Sequence, residues 1–231
     1  MMDTVLNTPI VFHPIYKQLI WGGDKIARFK NTNIDMQSVG ETWELSAVTG
    51  NESIVAECEG NEGRTITELI ADYGASLLGT QVYKDDDNSF PLLIKFIDAQ
   101  RDLSVQVHPN DKLARQRHNS PGKTEMWYIL DAEDDAKIHC GFSAPLTPNN
   151  YRKCIHDSKI MDYVASYKSD AGQFYFVPAG TIHAIGAGNL VAEIQQTCNI
   201  TYRIYDFDRL DVDGSPRPLH TDLAYDAIDY T

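Results

Sequence analysis

The sequence predicts a mainly β domain, a sandwich or barrel of short strands that carries a small helical insertion. Three observations lead there. Short runs rich in β-branched and aromatic residues recur along the chain, separated by Gly, Pro, Asn and Asp. Only two stretches show helical spacing. No regular strand–helix alternation, GxGxxG run or P-loop is present, which argues against a doubly wound nucleotide-binding sheet.

In chain order, the first expected strand covers residues 39–46. A helix follows over residues 65–79. Thr65 stands three residues before Glu68, the spacing of a capping box. Ile66, Leu69, Ile70, Tyr73 and Leu77 keep a helical period, and Gly79 supplies a stop. The acidic residues 85–87 with Asn88 and Ser89 read as a solvated loop. Strands are expected over 90–98, 103–108 and 125–130, each alternating or continuously apolar. Residues 147–167 have a weaker helical character, read as two short helices. The last strands are expected over 173–178, 189–196 and 201–207.

Composition bounds the function. The chain has 231 residues, 42% hydrophobic and 23% charged, and is read as a single domain over 1–231. A formal net charge of −13 repels phosphate backbones and anionic lipid, so neither nucleic acid nor a membrane is an expected partner. No apolar run approaches the roughly 20 residues of a membrane span, and residues 1–14 lack the pattern of a signal peptide. Cys58, Cys140, Cys154 and Cys198 form no CxxC pair and read as reduced thiols. The expectation is a soluble cytoplasmic protein.

The chemistry concentrates in four places. Gln106 and His108 lie two apart in a strand and project to one face, an oxygen and a nitrogen donor together. Lys123 and Glu125 share a face by the same rule, either as a surface ion pair or as a cation beside a carboxylate ligand. The Pro178–Gly180 turn can present His183 with little freedom. Glu193 and Gln195 share a strand face and Arg203 follows on the next strand, as a structural ion pair or as a proton-transfer group with an anion stabiliser. His13, His118, His139, His156 and His220 form no comparable set and read as surface or structural residues.

The strand, turn and His183 resemble the second metal-binding motif of the cupin superfamily, which implies a cupin-type jelly-roll barrel. Ligands of types O, N, O and N suit Zn²⁺. The chain as a whole is similar to type I mannose-6-phosphate isomerases of the short bacterial form. The motifs are Trp21–Gly23, Gly40–Ser46, Pro91–Asp111, Gly122–Trp127, Val177–His183 and Glu193–Arg209, in the family's order over nearly the whole chain. The resemblance implies one zinc per chain held by Gln106, His108, Glu125 and His183. It implies a sugar phosphate substrate, with mannose 6-phosphate and fructose 6-phosphate interconverted through a cis-enediol. Lys95 and Lys123 would line the pocket and bind substrate, one or the other holding the phosphate or relaying a proton. Arg203 would be catalytic, and Glu193 would be the general base or an outer group orienting Arg203. Two departures stand out. Asn199 occupies the place of a common family Asp, and the chain stops at Thr231, where the family usually continues into a C-terminal β domain. The alternative is a catalytically impaired cupin that binds a sugar or sugar phosphate.

Overall fold

Thirteen strands organise the described residues, 8–85 and 89–230, of a computed structural model of the chain. In order they are β1 (Val11–Phe12), β2 (Ile15–Gly23), β3 (Val39–Leu45), β4 (Val55–Glu57), β5 (Leu92–Ala99), β6 (Val105–Val107) and β7 (Glu125–Ala132). They continue as β8 (Lys137–Phe142), β9 (Val164–Lys168), β10 (Phe174–Val177), β11 (His183–Ile185), β12 (Asn189–Gln196) and β13 (Tyr202–Tyr205). A six-stranded sheet runs β10-β7-β12-β5-β3-β2 and a five-stranded sheet runs β13-β6-β11-β8-β9, with β1 and β4 forming a small separate pair. Every paired strand is antiparallel.

The mainly β, cupin-type architecture agrees with the sequence. The strands divide between two sheets with free edges, whereas a barrel implies a closed ring. Apolar side chains of both sheets meet between them: Ile97, Trp127, Ile129 and Val191 from one, Ile138 and Ile185 from the other. A second cluster lies on the opposite face of the five-stranded sheet. There Val105, Val107 and Ile204 pack against Tyr151 and Cys154 of the helix Pro148–His156 and Ala224 of the helix Thr221–Ala227. The alternation of β6 is thereby explained: its valines face the helices, and Gln106 faces the other sheet.

Each strand expected from the sequence is present, with ends shifted by a few residues. The helix expected over 65–79 is two pieces, Ile66–Tyr73 and Ala75–Leu78, because Gly74 adopts a positive φ of 49° between them. Its capping box is intact: Glu68 N–H donates to Thr65 Oγ1 at 3.2 Å and Thr65 N–H donates to Glu68 Oε2 at 2.7 Å. Residues 147–167 are one helix, a 3₁₀ turn at Ile160–Asp162 and then β9, so the second helix is corrected to a turn and a strand. Pairing with β8 overrides the weak helical pattern there. The acidic stretch 85–89 lies largely outside the described residues.

The sequence reading also missed β1, β2, β4, β8, β9 and β11 and the helices Lys25–Phe29, Thr80–Asp85, Asp111–His118 and Thr221–Ala227. The Trp21–Gly23 motif belongs to β2, and its glycines have a steric cause. A Cβ on Gly22 would stand 2.3 Å from Gly40 N, and one on Gly23 2.6 Å from Asp98 Oδ2. The four cysteines are free, as expected. Among the described residues, no helix is long and apolar enough to cross a membrane.

Candidate metal centre

Three of the four expected ligands converge. His108 leaves the end of β6, His183 opens β11 and Glu125 opens β7, so the two sheets contribute to one point. Donor atoms of these residues all lie within 4.8 Å of one another, and each residue is 1% exposed. His108 Nε2 is 3.2 Å from Glu125 Oε1, and His183 Nε2 is 3.7 Å from Glu125 Oε2.

Backbone carbonyls set the tautomers. His108 Nδ1–H donates to the Ile200 carbonyl and His183 Nδ1–H to the Thr181 carbonyl, both at 2.9 Å. Each Nε2 therefore turns a lone pair toward Glu125, the arrangement of a metal-ligating histidine with its outer nitrogen anchored. His183 Nε2 is buried with no hydrogen-bond partner, and an orphaned buried acceptor is costly unless something binds it. The turn holding His183 is tied to the first ligand, because Gly180, at φ 94°, donates its N–H to the His108 carbonyl at 2.9 Å.

Gln106 is brought to the same face by register. It is the cross-strand partner of His183 on one side and of Arg203 on the other, so all three side chains share the inner face of the five-stranded sheet. Burial, then the Lys123 ammonium, pushes the His108 imidazole down to about 3, leaving it neutral and available as a ligand. His183 is lowered too, chiefly by burial. Burial alone raises Glu125, but the Lys123 ammonium outweighs it and holds the carboxyl well below the usual range. This donor set fits a zinc ion. Two neutral imidazoles, one carboxylate and one amide oxygen are borderline-to-hard ligands.

The remaining expected site residues line one cavity of about 430 Å³ beside this cluster, together with Gln106. Lys123, far from being a surface residue, is 5% exposed; its Nζ is 2.9 Å from Glu125 Oε1 and donates to His108 Nε2 at 3.3 Å. Glu193 and Arg203 form no ion pair with each other. Glu193 Oε1 lies 2.9 Å from Lys95 Nζ, and Arg203 Nη1 donates to the Pro218 carbonyl at 2.9 Å while its Nε is buried without a partner. Burial, then the nearby Glu125 charge, raises the Glu193 carboxyl against the pull of Lys95. Burial lowers Lys95, yet Glu193 and Glu41 reverse this and leave it above the ordinary lysine value.

A family model described as the catalytic domain of type I phosphomannose isomerase matches residues 10–140. The chain is 40% identical over 222 residues to mannose-6-phosphate isomerase ManA of Bacillus subtilis, covering 96% of this chain and 68% of the relative. The chain belongs to the type I phosphomannose isomerase family. It is also similar to the crystal structure of the mannose 6-phosphate isomerase from Bacillus subtilis, with a TM-score of 0.88 and 37% identity, over 96% of this chain and 69% of that one. A zinc-bound mannose 6-phosphate isomerase structure shares the fold at a TM-score of 0.73 and 14% identity, over 96% of this chain and 74% of that one.

Several residues of this phosphomannose isomerase site escaped the sequence reading. Trp127, fully buried, donates its indole N–H to Glu193 Oε2 at 2.9 Å and sets its ring edge-on to His183, 5.3 Å between centres. Glu41 accepts the Trp43 indole N–H at 2.7 Å and lies 3.5 Å from Lys95 Nζ. Lys17 and Asn51 line the same cavity. Trp127 and Glu41 lie inside motifs already singled out, two residues from Glu125 and one from Gly40. Sequence offers no signal for Lys17 beyond its place four residues before Trp21.

Proposed function

We propose that this chain is a zinc-dependent mannose-6-phosphate isomerase, an aldose–ketose isomerase whose substrate is a sugar phosphate. The observation that carries the reading is the buried His108–Glu125–His183 cluster, with converging Nε2 atoms, next to a cavity lined by cations, Lys123 of that lining lying 2.9 Å from Glu125. Membership of the phosphomannose isomerase family and the names of its relatives support the reaction. The whole described chain acts as one catalytic unit in this reading, with one zinc per chain held by Gln106, His108, Glu125 and His183. When bound, the zinc supplies Lewis-acid polarisation of the oxygens on the reacting carbons.

The reaction moves a proton between C2 and C1 of the open-chain sugar. The C2 proton of the aldose leaves to a base and the enediolate forms with its charge on O1. O1 takes a proton to give the cis-enediol, O2 gives one up, and the base returns its proton to C1. Glu193 is the base in this reading. One of its oxygens is held by Trp127 and the other lies beside Lys95, so the carboxylate is fixed in orientation. Arg203 directs positive charge at the developing enediolate from the neighbouring strand. Lys123 and Lys95 bind the sugar by donating to its oxygens near the reacting carbons. Lys123 also holds the Glu125 carboxylate ionised.

Asn199, on the same cavity wall, favours a second reading, that of a cupin binding a sugar phosphate without turning it over. An amide cannot relay a proton near neutrality, so any mechanism needing a carboxylate there fails in this chain. A coupled assay converting mannose 6-phosphate to fructose 6-phosphate, run with zinc-loaded and chelator-stripped protein, separates the two. Turnover that disappears on stripping and returns with zinc upholds the isomerase; stoichiometric zinc without turnover upholds the binding protein.

A further inference from the structure

Five cationic side chains line the cavity: Lys17, Lys95, Lys123, Arg203 and Arg217. Three have their charge taken up inside the protein. Lys95 lies 2.9 Å from Glu193, Lys123 lies 2.9 Å from Glu125, and Arg217 Nε donates to Asp206 Oδ2 at 2.7 Å. Among the described residues no carboxylate pairs with Lys17 or Arg203. Arg203, beside Gln106, belongs to the reacting end.

Lys17 is the unusual one, since its cross-strand partner is an acid. Glu41 faces it across the β2–β3 ladder, where an ion pair would normally form. Instead the Glu41 carboxylate turns to the Trp43 indole N–H and to Lys95. Lys17 donates to the amide oxygen of Asn51 and sets its ammonium 4.8 Å from the centre of the Trp43 ring. Neither partner carries a negative charge. The ammonium is thus oriented by two neutral groups and keeps its full charge for the cavity.

Its position is distinctive too. Lys17 stands on β2, the edge of the six-stranded sheet, whereas Glu125 stands on β7, with β3, β5 and β12 between. Side chains in contact connect the two ends: Lys17 and Lys95 lie against Trp43, Lys95 meets Glu193, Glu193 meets Trp127, and Trp127 packs on His183. In a hexose 6-phosphate the reacting C1 and C2 and the anionic group on C6 also lie at opposite ends of an extended chain. A protein of net charge −13 repels such an anion unless a local cation offsets it.

We propose that Lys17 is the phosphate-recognising residue of the site, at the end of the cavity opposite the metal centre. The proposal rests on the isomerase reading for its substrate, and its own content is the anion subsite. Lys17→Met keeps the stem against Trp43 and removes the charge; Lys17→Arg keeps the charge. With Lys17→Met, KM for mannose 6-phosphate rises about ten- to a hundredfold, with the loss mainly in KM, and inhibition by inorganic phosphate weakens in parallel. Lys17→Arg recovers part of both. Unchanged KM and unchanged phosphate inhibition in a Lys17→Met protein of wild-type Tm overturn the proposal. Should the wild type not isomerise mannose 6-phosphate, titration calorimetry with inorganic phosphate decides separately. Binding by the wild type that is lost in Lys17→Met upholds the subsite although the reaction reading has failed. Equal binding in both proteins, or none in the wild type, overturns it.

Discussion

His183 shows how single atoms carry this site. Its Nδ1–H is anchored on a carbonyl and its Nε2 is buried without a hydrogen-bond partner, a lone pair that a bound cation would satisfy. His183→Ala and Glu125→Ala are accordingly expected to lose zinc, read as metal content per chain after dialysis; a variant that keeps one zinc per chain removes that residue from the ligand set. Arg203→Ala is expected to keep the metal and lose on the order of a hundredfold or more in kcat, as for removal of one preorganised charge at a developing anion. A pure rise in KM would place Arg203 at binding instead. Trp127 acts on the base through one hydrogen bond, so it is a positioning residue. Trp127→Phe is expected to lower kcat in the wild type and to have little further effect in a Glu193→Gln background. Equal losses in both backgrounds would reduce Trp127 to packing. The convergence of His108, Glu125 and His183 was legible in the sequence because strand parity and a Pro–Gly turn are local signals. Lys17 was not, because its significance lies in what Glu41 does instead of pairing with it.

The segment after β13 illustrates the element scale. Asp206, 5% exposed, accepts from Arg209 Nη2 at 2.6 Å and from Arg217 Nε at 2.7 Å. Arg209 also donates to the Asp102 carbonyl just before β6. One carboxylate thus closes the loop that returns to the cavity wall at Arg217. Burial alone raises the Asp206 carboxyl, but Arg217 and Arg209 outweigh it and hold it below the usual range. A carboxyl lowered in the folded state stabilises the fold above the unfolded pKa of about 3.9, and that contribution is lost as pH falls through the folded value. Asp206→Asn is expected to reduce stability at neutral pH and to flatten the acid side of the Tm–pH curve; an acid limb parallel to wild type would show that Asp206 does not drive it. Legibility at this scale followed hydrophobic pattern. Strong alternation in β6 and β7 was readable, whereas β9 and β11 are strands because they pair with β8, which no local propensity records.

At the scale of the whole molecule, the metal centre joins the two sheets, since Glu125 comes from the six-stranded one and His108 and His183 from elements of the five-stranded one. An ion bound there stabilises the folded state by mass action, roughly 2.7 kcal/mol at a hundredfold excess over Kd. Chelation is expected to lower Tm by several degrees and zinc to restore it; a Tm indifferent to chelator would contradict a cross-sheet metal. The sequence by itself determined the β class, the absence of a nucleotide-binding motif, the order of the motifs and the donor types of the centre. These follow from residue chemistry and from spacing within single strands. Tertiary structure decided which charges are spent and which are left free. It paired Lys95 with Glu193 and Arg217 with Asp206, and among the described residues it left Lys17 and Arg203 without carboxylates. Charge pairing across strands far apart in the chain depends on register, and register is set by the packing of whole sheets.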